Sequence, residues 1–154
     1  MARAIVIYGS ETGNTETVAE DIAAGLKDEK FDVTIKNVTG ASVEELSDYD
    51  LILLGSSTWG DEEKELQADM VDFYEELEGL DLSGKPAAAF GCGDSDYTHF
   101  CGAVDLLEER LEEVGAHLLD EGLRVDDQDD EEVDARVWAR QIASRFNVTR
   151  QEES

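Results

Sequence analysis

The sequence predicts a doubly wound α/β domain, in which helices cover both faces of a five-stranded parallel sheet. Three apolar runs, RAIVIYG, LILLG and GKPAAAFG, each end in glycine, which is typical of parallel strands buried on both faces. Segments with helical periodicity lie between these runs, and strands that alternate with helices build a parallel sheet through right-handed crossovers. The 154 residues are enough for one domain with a single core.

Five segments have the composition of strands. The first, third and fourth are the apolar runs, whereas the second, FDVTIKN, alternates apolar and polar residues, as a strand near the edge of a sheet does. The fifth, AHLLDEGLRV, contains Gly122, at which we expect the strand to be interrupted. In chain order the segments are 3–9, 31–37, 51–55, 84–91 and 116–125.

Four helices are predicted from apolar residues that recur three or four positions apart. The first begins at Asn14 and ends in the polar cluster at 27–30, and SVEELSDYD at 42–50 predicts a short turn or helical fragment. We expect the domain to span residues 1–148, followed by a frayed tail at 149–154. The four apolar stripes are Val18, Ile22 and Leu26; Leu66, Met70, Phe73 and Leu77; Val104, Leu107, Leu111 and Val114; and Val133, Val137, Trp138, Ile142 and Phe146.

The formal net charge of −27, from 39 acidic and 12 basic residues, restricts the partners of this chain. Nucleic acids and anionic lipids are bound through Lys and Arg, so both are disfavoured and basic protein partners are favoured. An acidic surface also suits concentrated salt, which screens the repulsion between carboxylates, and the composition leaves both explanations open. The run DDQDDEE at 126–132 lacks the glycine and spacing of an EF-hand and predicts a solvated helix start.

The amino-terminal apolar run is too short for a signal peptide or a membrane span, so the sequence predicts a cytoplasmic protein. Cys92 and Cys101 form neither a CxxC motif nor a disulfide framework. With only His99 and His117 elsewhere, they predict free thiols rather than a zinc site.

Three loops at the carboxyl ends of the apolar strands carry the candidate binding residues. They contain GSETGNT (9–15), GSSTWGD (55–61) and GCGDSDYTHFCG (91–102). Ligands of doubly wound sheets bind beyond the carboxyl ends of the strands, so the three loops should meet at one site. Glycines, hydroxyl groups and aromatic rings dominate the loops, and no general base or activated nucleophile is evident.

The first loop has the composition of an uncharged phosphate site. It has neither the lysine of GxxxxGK[ST] nor the glycines of GxGxxG. The hydroxyl groups of Ser10, Thr12 and Thr15, the amide of Asn14 and the backbone N–H groups of a helix N-terminus could surround one terminal phosphate. A generic strand-to-helix turn, with Ser and Thr as caps, explains the same residues.

The motifs GSETGNTET, GSSTWGD and GCGDSDYTHFCGAVD resemble the three cofactor loops of short-chain flavodoxins, particularly those of sulfate-reducing bacteria. The resemblance runs from Ala4 to about Phe146 and keeps the order and spacing of the motifs. It implies the flavodoxin-like strand order 2-1-3-4-5, with FMN at the switch between strands one and three, an order inherited from the family.

The resemblance assigns roles in all three loops. The first would hold the FMN phosphate, the second the ribityl chain and one face of the isoalloxazine ring, and the third the other face and the pyrimidine edge. Glu11 stands where the family usually has a small hydroxylic residue, so it would contribute its backbone only. The phosphate residues are Ser10, Glu11, Thr12, Gly13, Asn14 and Thr15; the ribityl residues Ser57 and Thr58; the stacking residues Trp59 and Tyr97; and the third-loop residues Cys92, Gly93, Asp94, Phe100 and Cys101.

The resemblance also implies a one-electron carrier that cycles between flavin semiquinone and hydroquinone at low potential. The peptide from Gly60 to Asp61 would turn its carbonyl toward the proton on flavin N5, a flip that glycine permits. Asp61, Asp94 and Asp96 would disfavour the anionic hydroquinone. We expect a monomer whose partners are reductases and low-potential oxidoreductases with basic docking surfaces.

Two other functions fit parts of the sequence. An FMN-dependent quinone or nitro reductase would share the fold, but the chain has no long insertion and no basic residues placed to bind a pyridine nucleotide phosphate. A flavin-free receiver module would need a phosphoacceptor Asp at a strand end and a nearby Lys, which LILLGSS and AAAFGCG do not provide. His99, in the third loop, fits a surface residue that modulates the potential better than a catalytic group.

Overall fold

A parallel sheet with helices on both faces forms the centre of the computed structural model. The structure describes residues 3–9, 14–59, 65–66, 68–79, 81–93, 102–119, 122–126 and 135–153. The strands are β1 (Arg3–Gly9), β2 (Asp32–Asn37), β3 (Leu51–Trp59), β4 (Glu65–Leu66), β5 (Pro86–Gly93), β6 (His117–Leu118) and β7 (Leu123–Asp126). The helices are α1 (Asn14–Asp28), α2 (Ala68–Leu77), α3 (Gly102–Glu113) and α4 (Ala135–Glu153), and two short 3₁₀ helices span Val38–Gly40 and Val43–Asp48.

The sheet has the predicted strand order. From β2 at one edge it continues through β1, β3 and β5, and both β6 and β7 pair with β5. All of these pairs are parallel. Because β6 and β7 are the two halves of the predicted fifth strand, the order 2-1-3-4-5 is confirmed, as is the position of FDVTIKN at an edge.

The fifth strand is interrupted where the sequence predicts, next to Gly122. Leu118 pairs with Ala87, and Leu123 pairs with Phe90. The fifth strand therefore uses five residues to cover a distance that β5 covers in three. The Gly122 N–H donates a hydrogen bond to Oε2 of Glu108 at 3.2 Å. A Cβ at Gly122 would lie 2.4 Å from Cγ1 of Val104, so only glycine fits this approach to α3.

Side chains of the central strands alternate between two helical layers. Ala4, Val6 and Tyr8 of β1 pack with residues of α1 and α4, whereas Ile5 and Ile7 pack with residues of α2 and α3. β3 and β5 divide their side chains in the same way. Burial on both faces explains why these strands are continuous apolar runs in the sequence.

Helices α1 and α4 approach each other closely near the end of α1. A Cβ at Gly25 would lie 2.5 Å from the backbone oxygen of Arg136 and 2.8 Å from Cβ of Ala139. Beside this contact, Nε and Nη2 of Arg136 donate to the two carboxylate oxygens of Asp28 at 2.8 and 3.1 Å. Nη2 of Arg140 donates to Oδ2 of Asp28 at 2.8 Å. Hydrogen bonds from Arg136 and then Arg140 lower the pKa of Asp28 to about 2.

The segment at 42–50 contains the predicted helical fragment, which is a 3₁₀ helix. Its cap is reciprocal: the Ser42 side chain accepts from the Glu44 N–H, and the Glu45 carboxylate accepts from the Ser42 N–H at 2.9 Å. Tyr49 follows this helix and is buried with Leu46 on the face of the sheet that α2 and α3 cover.

Two details of the predicted helices are corrected. The sequence predicts Leu66 in the second helical stripe, but it lies in β4 and pairs antiparallel with Thr58, so α2 begins only at Ala68. Val137 is 43% exposed, because the neighbouring Trp138 and Ala139 face the core instead. Helix α4 continues to Glu153, since no Pro or Gly interrupts it, and the domain boundary at residue 148 stays a prediction. Val133 lies outside the described residues.

No helix in the described parts of the chain is both long and apolar enough to cross a membrane.

Candidate functional site

The carboxyl ends of three neighbouring strands form one edge of the sheet. Gly9 of β1 pairs with Ser56 of β3, and Ser56 pairs with Gly91 of β5. Neighbouring strands lie about 4.8 Å apart, so the segments that follow β1, β3 and β5 leave the sheet within about 10 Å of one another. The predicted convergence of the three loops therefore holds for the strand ends that the structure describes.

The first loop joins β1 to the amino end of α1. β1 ends at Gly9, and α1 begins at Asn14, the residue at which the sequence predicts it. Ser10, Glu11, Thr12 and Gly13 lie outside the described residues, whereas Asn14 and Thr15 form the first turn of the helix. The first N–H groups of a helix have no partners within it and carry partial positive charge, so this junction fits a phosphate group.

The second loop lies within a hairpin that sequence reasoning did not predict. Ser57, Thr58 and Trp59 are the last residues of β3, and Trp59 pairs with Glu65 of β4. The five-residue stretch 60–64, which contains Gly60 and Asp61, lies outside the described residues, but both of its flanks are joined by this antiparallel pairing. Leu66 falls at helical spacing from Met70, and that periodicity concealed the short strand.

The third loop joins β5 to α3. Cys92 pairs with Ser57 of β3, and Gly93 is the last residue of β5, so both lie at the same edge as the second loop. Helix α3 begins at Gly102. The loop between them is outside the described residues, and with it the candidates Asp94, Tyr97, Phe100 and Cys101, together with Asp96 and His99.

One close contact directly below this edge was also missed by sequence reasoning. A Cβ at Gly55 of β3 would lie 2.1 Å from Cε2 of Phe90, and Phe90 itself is fully buried. Gly55 ends the apolar run LILLG but lies in the middle of β3, and a glycine within a strand can signal such a close approach. The sequence alone did not identify the ring that occupies the space.

Other possible sites in the described part of the chain lie away from this edge. A cavity of about 390 Å³ lies at the opposite end of β5 and is lined by residues that include Asp81, Ser83 and Arg110. A second, of about 250 Å³, follows the acidic side of α3. Among the residues that the structure places, no group of three His, Cys, Asp or Glu side chains could hold a metal ion.

Comparison with known proteins gives one consistent result. The family model described as Flavodoxin matches residues 6–138. The chain is 49% identical over 147 residues to the flavodoxin of Maridesulfovibrio salexigens, covering 95% of this chain and 100% of that protein. It is 42% identical over 146 residues to the flavodoxin of Nitratidesulfovibrio vulgaris, covering 94% and 99%. The solved structure of oxidised flavodoxin 2 from Bacillus cereus has a TM-score of 0.82 and 41% identity, covering 96% of this chain and 99% of that chain.

Proposed function

The chain belongs to the flavodoxin family, and we propose that it carries single electrons at low potential, between redox proteins, on non-covalently bound FMN. As a flavodoxin it is an electron-transfer protein and not an enzyme. The observation that carries the proposal is the alignment of the ends of β1, β3 and β5 at one sheet edge. The loops that leave these ends contain the donors, aromatic rings and glycine suited to FMN.

The first loop and the amino end of α1 would bind the FMN phosphate without a side-chain cation. The hydroxyl groups of Ser10, Thr12 and Thr15 and the amide of Asn14 can donate hydrogen bonds, as can the backbone N–H groups of the first helical turn. Hydrogen bonds to an ionised acceptor are roughly twice as strong as neutral ones. Six or so such donors can therefore hold a dianion, even with the carboxylate of Glu11 nearby.

The second and third loops would hold the flavin ring. Trp59 and Tyr97 would stack on its two faces, and Ser57 and Thr58 would contact the ribityl chain. The backbone of Cys92, Gly93, Asp94 and Cys101 would donate to and accept from the pyrimidine edge, with Phe100 closing the loop. The pairing of Ser57 with Cys92 supports this arrangement, because it brings the starting points of the two loops side by side.

FMN, when bound, supplies the one-electron chemistry, and the protein contributes binding, orientation and electrostatics. The Gly60 carbonyl would accept a hydrogen bond from the flavin N5–H, and glycine at this position lets the peptide turn without a Cβ clash. Asp61, Asp94 and Asp96 would place negative charge near the ring. One carboxylate about 12 Å away costs an added electron roughly 0.35 kcal/mol in a water-like medium, or about 15 mV. Several such charges, together with desolvation, would lower the second potential by on the order of 100 mV.

The same charge would select the partners. With 39 acidic residues against 12 basic ones, the chain should associate as a monomer with reductases and low-potential oxidoreductases that present basic surfaces. We place it in the cytoplasm, with neither nucleic acid nor membrane as a partner. The acidic surface would also suit concentrated salt, because a short screening length weakens the repulsion between its carboxylates.

Stepwise photoreduction of the purified holoprotein tests this function. We expect a flavin absorption spectrum that is lost in two separate one-electron steps, whereas bleaching in a single two-electron step would contradict the carrier function. Mixing with NADPH alone should leave the flavin oxidised, because a carrier depends on a reductase. A protein that is colourless and cannot take up added FMN would exclude the proposal.

Gly60→Ala tests the proposed turn of the 60–61 peptide. The added Cβ disfavours the positive φ that the turned peptide needs, so the first one-electron potential should become more negative. Spectroelectrochemical titration measures the two potentials separately. An unchanged first potential would remove the role assigned to this peptide.

A further inference from the structure

The closest approach to a glycine in the described part of the chain is the contact between Gly55 of β3 and Phe90 of β5. A Cβ at position 55 would lie 2.1, 2.2 and 2.6 Å from three atoms of the Phe90 ring, Cε2, Cζ and Cδ2. Carbon atoms in contact are normally about 3.5 Å apart or more, so the ring lies in the space that any other residue at position 55 would fill. Gly55 and Phe90 are also register partners.

This contact lies in a row of paired residues close to the candidate site. The row runs from Tyr8 of β1 through Gly55 to Phe90 and then to Leu123 of β7. One residue further along, Ser56 pairs with Gly91, and the next pair is Ser57 with Cys92. The second and third loops therefore leave the sheet within a few residues of the ring of Phe90.

The ring has little freedom to move elsewhere. Phe90 is fully buried in the core cluster that also contains Tyr8 on β1 and Val18 and Ile22 on α1. It packs on the same face of the sheet as α1, the helix whose amino end would bind the phosphate. A change in the ring position must displace either these side chains or the strands themselves, since packed cores have few voids.

We propose that Gly55 and Phe90 are positioning residues for the FMN site. By leaving the space that the ring occupies beside β3, Gly55 lets β3 and β5 keep their regular pairing at the point where the second and third loops begin. It also sets the depth of α1 above the sheet. The proposal rests on the proposed function, because its readout is the binding of FMN.

Gly55→Ala should strain this arrangement. The methyl group and the ring cannot occupy the same space, so the ring, the strands or α1 must shift by about 1 Å. Binding FMN then requires the protein to restore the original geometry against that strain. We expect FMN to bind about tenfold weaker, within the range that overpacking of a core can cause.

Phe90→Leu should disturb the same contact by removing the ring instead of adding a methyl group. Removing the ring leaves a gap over Gly55, and α1 loses a core side chain that fixes its depth above the sheet, so FMN binding should also weaken. In the double variant Gly55→Ala/Phe90→Leu the alanine methyl fills part of that gap. We therefore expect the double variant to bind FMN more tightly than either single variant, a non-additivity that only residues in contact should show.

The test measures FMN released on dilution of each holoprotein, by its fluorescence, under conditions where every variant is folded by near-UV circular dichroism. Gly25→Ala is the matched control, because its Cβ would clash with α4 rather than at the site. We expect its FMN dissociation constant to stay within about twofold of the parent value, since distant sites behave independently. The visible flavin spectrum provides a second readout, which should change only in variants at positions 55 and 90.

Three results would overturn the proposal. Unchanged FMN binding in Gly55→Ala would show that the contact does not position the site, and equal weakening in Gly25→Ala would show that any loss of stability has the same effect. If Gly55→Ala does not fold, Phe90→Leu and the double variant decide, and parent-like binding in both would refute the role. Failure of the parent protein itself to bind FMN would instead contradict the proposed function.

Discussion

Replacing Gly25 by Ala sets helix propensity against packing at the contact between α1 and α4. In the interior of a helix, alanine is favoured over glycine by about 1 kcal/mol, so propensity alone predicts a more stable protein. The new Cβ, however, would lie 2.5 Å from the backbone oxygen of Arg136. A normal contact needs about 1 Å more, and a backbone atom cannot rotate away as a side chain can.

Packing should prevail at Gly25. Overpacking costs about 1–3 kcal/mol, and the upper part of that range applies where two backbones oppose each other. After subtraction of the propensity gain, we expect Gly25→Ala to lower the free energy of unfolding by about 1–2 kcal/mol. The movement should also lengthen the hydrogen bonds from Arg136 to Asp28, so the variant should lose part of the stability that this pair contributes above about pH 4.

Urea denaturation at a fixed, saturating FMN concentration measures the effect, because bound ligand then adds nearly the same stabilisation to each variant. Gly40→Ala is the matched control: its Cβ would meet nothing within 4 Å, so we expect a change within about 0.5 kcal/mol. Stabilisation of Gly25→Ala by about 1 kcal/mol would refute the packing argument, since helix propensity would then act unopposed.

Three further substitutions give separate tests. The pKa of Asp28 is lowered from 3.8 to about 2, so its pairing with Arg136 and Arg140 stabilises the fold above pH 4 and is lost as the pH falls toward 2. Asp28→Asn should flatten that part of the acid denaturation profile, and an unchanged profile would contradict it. Lys30 has φ of 70°, so Lys30→Gly should raise the free energy of unfolding by about 0.5–1 kcal/mol in urea; a loss would count against backbone strain. Thr12→Ala should weaken FMN more than riboflavin in fluorescence titrations, because only FMN has the phosphate, and equal weakening would exclude the phosphate role.

Much of the fold could be predicted because the central strands are buried on both faces. Residues such as Val6 and Leu53 pack in one helical layer, and their neighbours pack in the other, so the strands appear in the sequence as unbroken apolar runs. The start of α1 at Asn14 and the break at Gly122 were predictable for a similar reason, since each coincides with a change in local composition.

The remaining features depend on contacts between distant parts of the chain. Leu66 has helical spacing to Met70, and only its pairing with Thr58 shows that it belongs to a strand. Val137 has the spacing of a core residue, yet the orientation of α4 buries Trp138 beside it. The contact of Phe90 with Gly55 likewise joins residues 35 positions apart, and no local pattern in the sequence contains that information.

The interrupted fifth strand gives the molecule a place where chain length can change. Leu118 and Leu123 are each anchored to β5 by their own pairing, and the connection between them already has two residues more than β5 requires. A longer connection would destabilise the fold through the entropy lost on closing the loop, but this cost grows only slowly with loop length. Leu118 and Leu123 would both remain in register. This segment is therefore a suitable position at which to graft a peptide tag or a recognition loop onto the domain without disturbing the sheet.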